Sequence, residues 1–292
     1  MTAATSSRPA AAPAVGLVLL AVTSLQVGAA FAVELFDELG PAGTAFARLA
    51  FAALVLIAFW RPRLAGRTRG DLRVAVAFGL ALGGMNLCIY EALDRIPLGV
   101  CVTIEFIGPV SVAVLFSRRA LDLVWVALAV LGILLLANPF GADGVDPTGL
   151  ALILAAAACW AVYIVLAQRA TRVFHGSTGL ALAAGVAWLM PLGPGLSEAG
   201  VSELLAPGAL AIGLAVALLS SVIPYSLESE SLRRMPANVF GVLMSLEPAV
   251  AALAGFVVLG QTLGARELVA IGLVIAASVG VTRASAAPPV DA

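Results

Sequence analysis

Long uninterrupted apolar runs recur along this chain, and they constrain its fold more than any other feature. Hydrophobic residues make up 62% of the 292 residues and charged residues only 11%, whereas soluble domains carry about 25% charged residues. Each run has about 18 or more residues, enough for one helix to cross a bilayer core about 30 Å thick. Because the runs lack the alternation of a membrane barrel, the predicted fold class is an all-α polytopic membrane protein.

Ten such runs predict ten transmembrane helices joined by short loops. Turn residues mark the joints, for example at residues 39–41 and 193–195. We expect disordered tails at residues 1–13 and 284–292, and we expect the first run to be retained because it is longer than the apolar part of a signal peptide. The predicted helices span residues 14–35, 42–60, 72–93, 98–117, 122–139, 148–168, 177–193, 208–229, 237–258 and 266–283.

The placement of arginine predicts how these helices are oriented. All 16 basic residues are arginine. Except for Arg48, Arg95 and Arg266, they fall in the two tails or in the loops on one side of the predicted bundle. Loops rich in basic residues stay in the cytoplasm, so both termini are predicted to be cytoplasmic.

Two stretches of the chain look like copies of one another. Pro97 and Pro236 are separated by 139 residues, and so are Pro109 and Pro248, while Glu105 and Glu247 lie just before the second pair. The first copy begins on the predicted outer side and the second on the inner side. This pattern predicts two inverted repeats of five helices, at residues 14–139 and 148–283, with a substrate site between them near the membrane midplane.

A few ionisable residues fall within the predicted helices. A charge in the bilayer core costs at least a few kcal/mol, so each of these residues is a candidate for function. Arg48, Glu105 and Glu247 lie inside predicted helices, and Glu91, Glu228 and Glu230 lie at helix ends.

Glu105 and Glu247 are the strongest candidates for substrate binding or coupling, because both lie too deep to reach the interface easily. Pro109 and Pro248 follow them and lack an amide hydrogen, which leaves the carbonyl groups of Glu105 and Met244 without helical partners. Each proline is therefore a candidate hinge beside an acid. We expect the two carboxyl groups to bind an amino group or to exchange a proton.

Structural roles are the alternatives for the same charged residues. Glu105 would then form a buried ion pair with Arg48, and Glu247 would accept hydrogen bonds from backbone or hydroxyl groups. Arg48 suits a substrate carboxylate, because its guanidinium offers a fork of donors, but neutralising a membrane acid or lying near the outer interface are equally open.

Aromatic and polar side chains complete the set of candidate site residues. Trp160 and Tyr163 share a helix face at a depth that favours lining a cavity, whereas Tyr90 and Tyr225 lie near helix ends, where an interfacial belt is the common alternative. For the polar residues the default is hydrogen bonding between helices, and Pro224 is a third hinge because it frees the carbonyl group of Ser220. The polar residues are Gln26, Asn86, Ser220, Ser221 and Ser245.

Several classes of function are disfavoured. The chain lacks the sequence motifs of hydrolases, metalloproteases and nucleotide-binding enzymes, and its three cysteines have no metal-binding spacing. We therefore expect no catalysis, metal or cofactor. Net charge is −1, which gives no sign of nucleic-acid binding. The expected partners are the lipid bilayer and a small molecule, and we expect a monomer.

Seven segments carry a resemblance to a known group of proteins. They are residues 34–41, 96–109, 117–119, 125–132, 158–164, 223–228 and 243–249. In these segments, and over nearly the whole chain, the sequence resembles the ten-span EamA-type branch of the drug/metabolite transporter superfamily, and within it the bacterial threonine and homoserine exporters. The resemblance implies export of small amino acids from the cytoplasm across the inner membrane, with aromatic amino acids as a wider range.

The leading hypothesis is an amino-acid exporter that works by alternating access between the two repeats. The small drug exporters of the superfamily use a mid-membrane glutamate in their first span. Here the first span has only Gln26 and, at its end, Glu34, which argues against that type. Proton coupling and passive export both stay open. Efflux of other metabolites, such as nucleosides or drugs, and a passive channel are the alternatives.

Overall fold

The computed structural model describes most of the chain and is helical throughout those parts. The described residues are 11–62, 65–115, 122–137, 145–174, 178–235, 240 and 243–286. No β-strand occurs among them.

Thirteen helices and one π-helical turn make up the described part of the chain. The first seven are α1 (Ala11–Glu34), α2 (Phe36–Trp60), α3 (Arg69–Leu93), α4 (Leu98–Glu105), α5 (Ile107–Leu115), α6 (Asp122–Ala137) and α7 (Pro147–Val173). The next four are α8 (Thr178–Ala187), α9 (Leu189–Leu204), α10 (Pro207–Ala217) and, after the π-helical turn Leu218–Val222, α11 (Ile223–Arg234). The last two are α12 (Glu247–Leu259) and α13 (Ala265–Ala286).

The helices agree with a membrane protein. Six described segments are long and apolar enough to cross a bilayer. They are Ala14–Glu34, Phe36–Trp60, Arg69–Leu93, Pro147–Ala170, Thr178–Leu204 and Pro207–Glu228. Three shorter apolar helices, Leu98–Val112, Leu123–Leu136 and Glu247–Leu259, fall within other predicted runs, and α13 covers the tenth.

The described helices extend a few residues into both predicted tails. Helix α1 begins at Ala11 and α13 ends at Ala286. Residues 1–10 and 287–292 lie outside the described part, as does Pro236 of the predicted duplication.

The predicted joint at residues 39–41 is confirmed as a break within α2. Gly40 has φ 68° and ψ 167°, a conformation that only glycine adopts readily. The helix restarts at Pro41, where a missing amide hydrogen costs nothing. The Ala42 amide then donates to Glu198 Oε2 at 2.9 Å, so a carboxylate stabilises the start of the restarted helix.

The predicted joint at residues 193–195 was wrong, because α9 continues through it and the chain breaks at Gly200 instead, with φ 76°. Gly195 lies against α2: a Cβ atom there would lie 2.9 Å from the Ala42 carbonyl oxygen and 3.1 Å from Phe46 Cβ. This glycine therefore permits close packing of two helices and does not form a turn.

The two halves of the sequence pack against each other along their whole length. Helix α1 contacts α11, α2 contacts α8 and α9, α3 contacts α7, α4 contacts α12, and α6 contacts α13. In each of these pairs, one helix comes from residues 14–139 and the other from residues 148–283. The main apolar core consequently lies between the halves and includes Tyr90, Leu98, Ile104, Leu136 and Ile153, all fully buried.

Helices α3 and α8 approach closely at the glycine pair of α3, as the small-residue spacing allows. A Cβ atom at Gly83 would overlap the Ala187 carbonyl oxygen, and one at Gly79 would overlap the Ala183 carbonyl oxygen. We predict that Gly83→Ala lowers the free energy of unfolding by about 1–3 kcal/mol, because the backbone must shift. Thermal unfolding of the purified protein in detergent measures this.

Gly272→Ala in α13 is the matched control, since a Cβ atom there meets nothing within 4 Å. It should leave stability unchanged or raise it by about 0.5–1 kcal/mol. Equal losses for the two variants would contradict the packing described for α3 and α8.

Candidate functional site

A cavity of about 340 Å³ lies between the two halves of the sequence. Helices α1 to α5 form one wall. Helices α7, α11, α12 and α13, together with Phe240 and Met244, form the other. The polar and aromatic residues of its lining are Gln26, Arg48, Asn86, Tyr90, Glu105, Phe106, Trp160, Tyr163, Tyr225, Glu228, Phe240, Glu247 and Ser278.

The structure brings most of the candidate residues from the sequence together at this cavity. Those that line it are Gln26, Arg48, Asn86, Tyr90, Glu105, Pro109, Trp160, Tyr163, Tyr225 and Glu247. Ser221 lies behind the wall and contacts Arg48. Pro224 and Pro248 are buried outside the lining.

Arg48 is held in the cavity wall by three neutral groups. Its Nη1 donates to the Tyr90 hydroxyl at 3.1 Å, and its Nη2 donates to the Ser220 carbonyl at 2.8 Å. Its Nε donates to Ser221 Oγ at 3.3 Å. The side chain is 6% exposed, and its guanidinium carbon lies 5.5 Å from the centre of the Tyr90 ring, so Arg48 is buried within the helix bundle.

The acceptor on Ser220 exists because the helix is irregular there. Pro224, four residues later, has no amide hydrogen for that carbonyl. The Ile223 amide bonds back to the Leu218 carbonyl in the π-helical pattern, which also leaves the Leu219 carbonyl without a helical donor. Ser24 Oγ donates to the Leu219 carbonyl at 2.7 Å, so side chains from α1 and α2 satisfy two adjacent carbonyl groups of the second half.

The expected alternative of a buried ion pair between Arg48 and Glu105 is not what the structure contains. Among the described residues, ion pairs involve Arg95, Arg234 and Arg266, and none joins Arg48 to an acid. Glu105 is 6% exposed and lines the cavity. A guanidinium and a carboxyl group therefore contribute to one cavity without pairing to each other.

Glu105 lies beside a helix break. Helix α4 ends at Glu105, and α5 begins at Ile107. Pro109 follows four residues after Glu105. The intervening Phe106 was not among the predicted site residues, although it lies between two that were. Its ring meets Trp160 edge-on, with centroids 5.2 Å apart and planes at 88°, so the break places an aromatic side chain in the cavity wall.

Glu247 lies at a second break. Helix α12 begins at Glu247, after a turn at Ser245 and Leu246, with Pro248 in its first turn. A carboxyl group in the first turn interacts favourably with the helix dipole. Gln26 Nε2 of α1 donates to Glu247 Oε1 at 2.9 Å. The donor is therefore a side-chain amide, and not the backbone or hydroxyl group expected for a structural role.

The polar residues mostly form bonds between helices, as expected. Ser221 accepts from Arg48, and the hydroxyl groups of Ser245 and Ser278 lie 2.7 Å apart. Asn86 differs: its amide donates to the Leu82 carbonyl of its own helix at 2.8 Å. Tyr90 is 1% exposed, so it does not belong to an interfacial belt.

Other lining residues were not predicted as site residues. Glu228 was noted only as an ionisable residue at a helix end, yet it lines the cavity. Met85 and Met244 line it as well, and their sulfur-containing chains adapt to ligands of varied shape. Apolar residues of this kind carry no local signal that separates a cavity wall from lipid contact or core packing.

The residues that line the cavity are suited to binding a small molecule. Its lining combines one guanidinium, three carboxyl groups and six aromatic residues, which suits a small molecule that carries both charges. Among the described residues, no group of three or more His, Cys, Asp and Glu side chains is arranged to hold a metal ion.

Comparison with known proteins decides the family. A model of the EamA-like transporter family matches residues 147–283. The threonine/homoserine exporter RhtA of Escherichia coli K12 is 45% identical over 271 residues, which cover 91% of this chain and 90% of that protein. The chain belongs to the EamA-like transporter family.

Further matches agree with this membership. RhtA of Salmonella typhimurium LT2 matches the chain with the same identity and coverage. A solved crystal structure with 18% identity covers 93% of this EamA-like chain and 98% of its own, at a TM-score of 0.60. At that identity the likeness concerns the fold.

The Arg48 network gives a testable prediction. Tyr90→Phe removes an acceptor from a buried guanidinium and should lower the free energy of unfolding by about 1.5–3 kcal/mol. Tyr225→Phe is the matched control, because the Tyr225 hydroxyl lines the same cavity without a hydrogen bond to any described residue. Thermal unfolding compares the two, and equal changes would contradict the network.

Proposed function

We propose that this protein exports small amino acids of the threonine and homoserine kind from the cytoplasm across the bacterial inner membrane, by alternating access. The observation that carries the proposal is the cavity in which Arg48 and Glu105 meet the same space without an ion pair between them. Unpaired opposite charges in one buried cavity favour a ligand that supplies both counter-charges.

An amino acid is such a ligand, because it carries an ammonium and a carboxylate on neighbouring atoms. Of the five N–H donors of a guanidinium, Arg48 uses three on neutral groups. The remaining donors are available to the carboxylate of the substrate. The Glu105 carboxyl group faces the cavity and is the candidate partner of the ammonium.

The rest of the cavity suits a small side chain. Phe106, Trp160 and Met85 supply apolar wall, and a volume of about 340 Å³ lies at the lower end of small-molecule sites. Tyr163 and Tyr225 add hydroxyl groups to the lining. Aromatic amino acids are the largest substrates that we expect this cavity to accept.

Kinship supports the same substrate class. The relatives from Escherichia coli and Salmonella typhimurium are named threonine/homoserine exporters and match this chain over about nine-tenths of its length. Export by this chain is the simplest transfer of that activity, and it supports a role as a transporter in the inner membrane.

Helix contacts support two inverted five-helix repeats at residues 14–139 and 148–283. In predicted span numbers, five of the packed pairs are one with eight, two with seven, three with six, four with nine and five with ten. Exchanging the halves, so that each span is replaced by the one five positions away, reproduces the same set. The family model also matches one such unit, residues 147–283.

Alternating access then follows from movement of one repeat against the other. The breaks beside Pro109, Pro224 and Pro248 are the places where helices bend with least loss of backbone hydrogen bonding. The arginine distribution favours cytoplasmic termini. We expect a monomer, because one chain encloses the cavity. The cavity is compatible with export that is coupled to protons and with passive export.

Transport in proteoliposomes tests the proposal. Labelled threonine and homoserine should show saturable counterflow, in which unlabelled substrate on the other side accelerates entry. Glu105→Gln and Trp160→Ala should reduce the rate at least tenfold, because about 1.4 kcal/mol of lost binding corresponds to a factor of ten. A panel that includes aromatic amino acids and nucleosides defines the range.

Glu38→Gln is the matched control, since Glu38 is exposed and lies outside the cavity lining. It should transport like the original protein. Absence of counterflow with every amino acid, in protein that is folded, would overturn the proposed substrate class, whereas a linear, unsaturable flux would favour a channel.

Labelling of single cysteines tests the orientation. With Cys88, Cys101 and Cys159 replaced by alanine, Thr262→Cys and Ala65→Cys place thiols at exposed positions on opposite predicted sides. A membrane-impermeant maleimide should label Thr262→Cys in intact cells and Ala65→Cys only after the cells are opened. The reverse pattern would contradict cytoplasmic termini.

A further inference from the structure

Two buried oxygen atoms in the cavity wall have no hydrogen-bond partner among the described residues. They are Gln26 Oε1 and Glu247 Oε2, on side chains that are 2% and 5% exposed. Both atoms are sealed from solvent-sized molecules in this conformation. An unpaired carboxylate oxygen in such a place loses its hydration without replacement.

The other two polar atoms of the same groups do pair, since Gln26 Nε2 donates to Glu247 Oε1 at 2.9 Å. If Glu247 were ionised, both unpaired atoms would be acceptors and could not satisfy each other. A proton on Glu247 Oε2 turns that atom into a donor, and the unpaired carbonyl oxygen of the Gln26 amide is the acceptor it needs. The two groups then form the paired hydrogen bonds of a carboxylic acid and an amide.

The charged surroundings favour the same state. Glu105 on α4 and Glu228 on α11 line the same cavity and disfavour a negative charge on Glu247. Tyr225 also lines the cavity, and its side chain supplies no positive charge. Arg48 on α2 directs its bonds to Tyr90, Ser220 and Ser221. The N-terminus of α12 favours a negative charge on Glu247. Burial and the two neighbouring acids oppose that charge.

We propose that Glu247 and Gln26 form a proton-binding site, separate from the substrate-facing Glu105, in which Glu247 carries a proton while the two side chains are paired. Its role in coupling rests on the transport function proposed above. Separation of the helices that carry the pair would expose Glu247 to water, where it releases the proton as the carboxylate forms. Substrate and proton would thus occupy different carboxyl groups of one cavity.

Infrared spectroscopy of the purified protein in lipid tests the site directly. A protonated carboxyl group gives its own C=O stretching band, and the band should be present at neutral pH and be lost in Glu247→Gln. That variant keeps a neutral side chain of the same shape, so it preserves the pairing. Glu105→Gln is the matched control and should leave the band in place.

Gln26→Leu supplies a second readout. Because it removes the amide that donates to the Glu247 carbonyl oxygen, the surviving band should shift to higher frequency, which a merely structural role for Gln26 would not produce. A neutral-pH spectrum without the band, or with a band that Glu247→Gln leaves unchanged, overturns the proposed site.

Counterflow measured on the same preparation separates the two proposals. Counterflow without the Glu247 band removes the proton site and leaves amino-acid export standing. The Glu247 band without counterflow supports the proton site and removes export as the function that it serves.

Discussion

The buried guanidinium of Arg48 is the contact on which the cavity depends. A cation within a membrane bundle requires partners, and Arg48 finds them on α3 and on the irregular turn of the opposite half. That turn can accept because Pro224 and the π-helical pattern leave two adjacent carbonyl groups free, and Ser24 takes the other one. Gly28 lets α1 approach the same turn, where a Cβ atom would overlap Ser220. Arg48 and Ser24 therefore join the two halves beside the cavity through polar contacts that use no carboxyl group.

Neither Glu105 nor Glu247 pairs with Arg48, and the two acids differ in their surroundings. Glu105 faces the open space beside the break at Phe106, whereas Glu247 is turned into the wall against Gln26. Both acids lie at helix breaks that precede a proline, so the same local irregularity supplies a charged group and a place to bend. In a transporter this combination couples ligand chemistry to helix movement, because a change at the carboxyl group acts where the helix is weakest.

How much of this could be read from the sequence depends on whether the signal is local. The apolar runs, the break at Gly40, the close contact at Gly83 and the carbonyl group freed by Pro224 each follow from a few neighbouring residues, and the resemblance to known exporters added the family. The donor to that carbonyl, the partner of Glu247 and the role of Gly195 depend on helices far away in the chain. Gln26 and Glu247, for example, lie 221 residues apart. Phe106 was missed because an apolar residue in a membrane helix looks alike whether it faces lipid, core or ligand.

A structure of the protein with threonine bound tests the central claim most directly. We expect the amino acid in the cavity between the two halves, with its carboxylate in hydrogen-bonding contact with Arg48, its ammonium at Glu105, and its side chain against Phe106 and Trp160. Threonine bound outside this cavity, or bound inside it without contact to Arg48 and Glu105, would contradict the account.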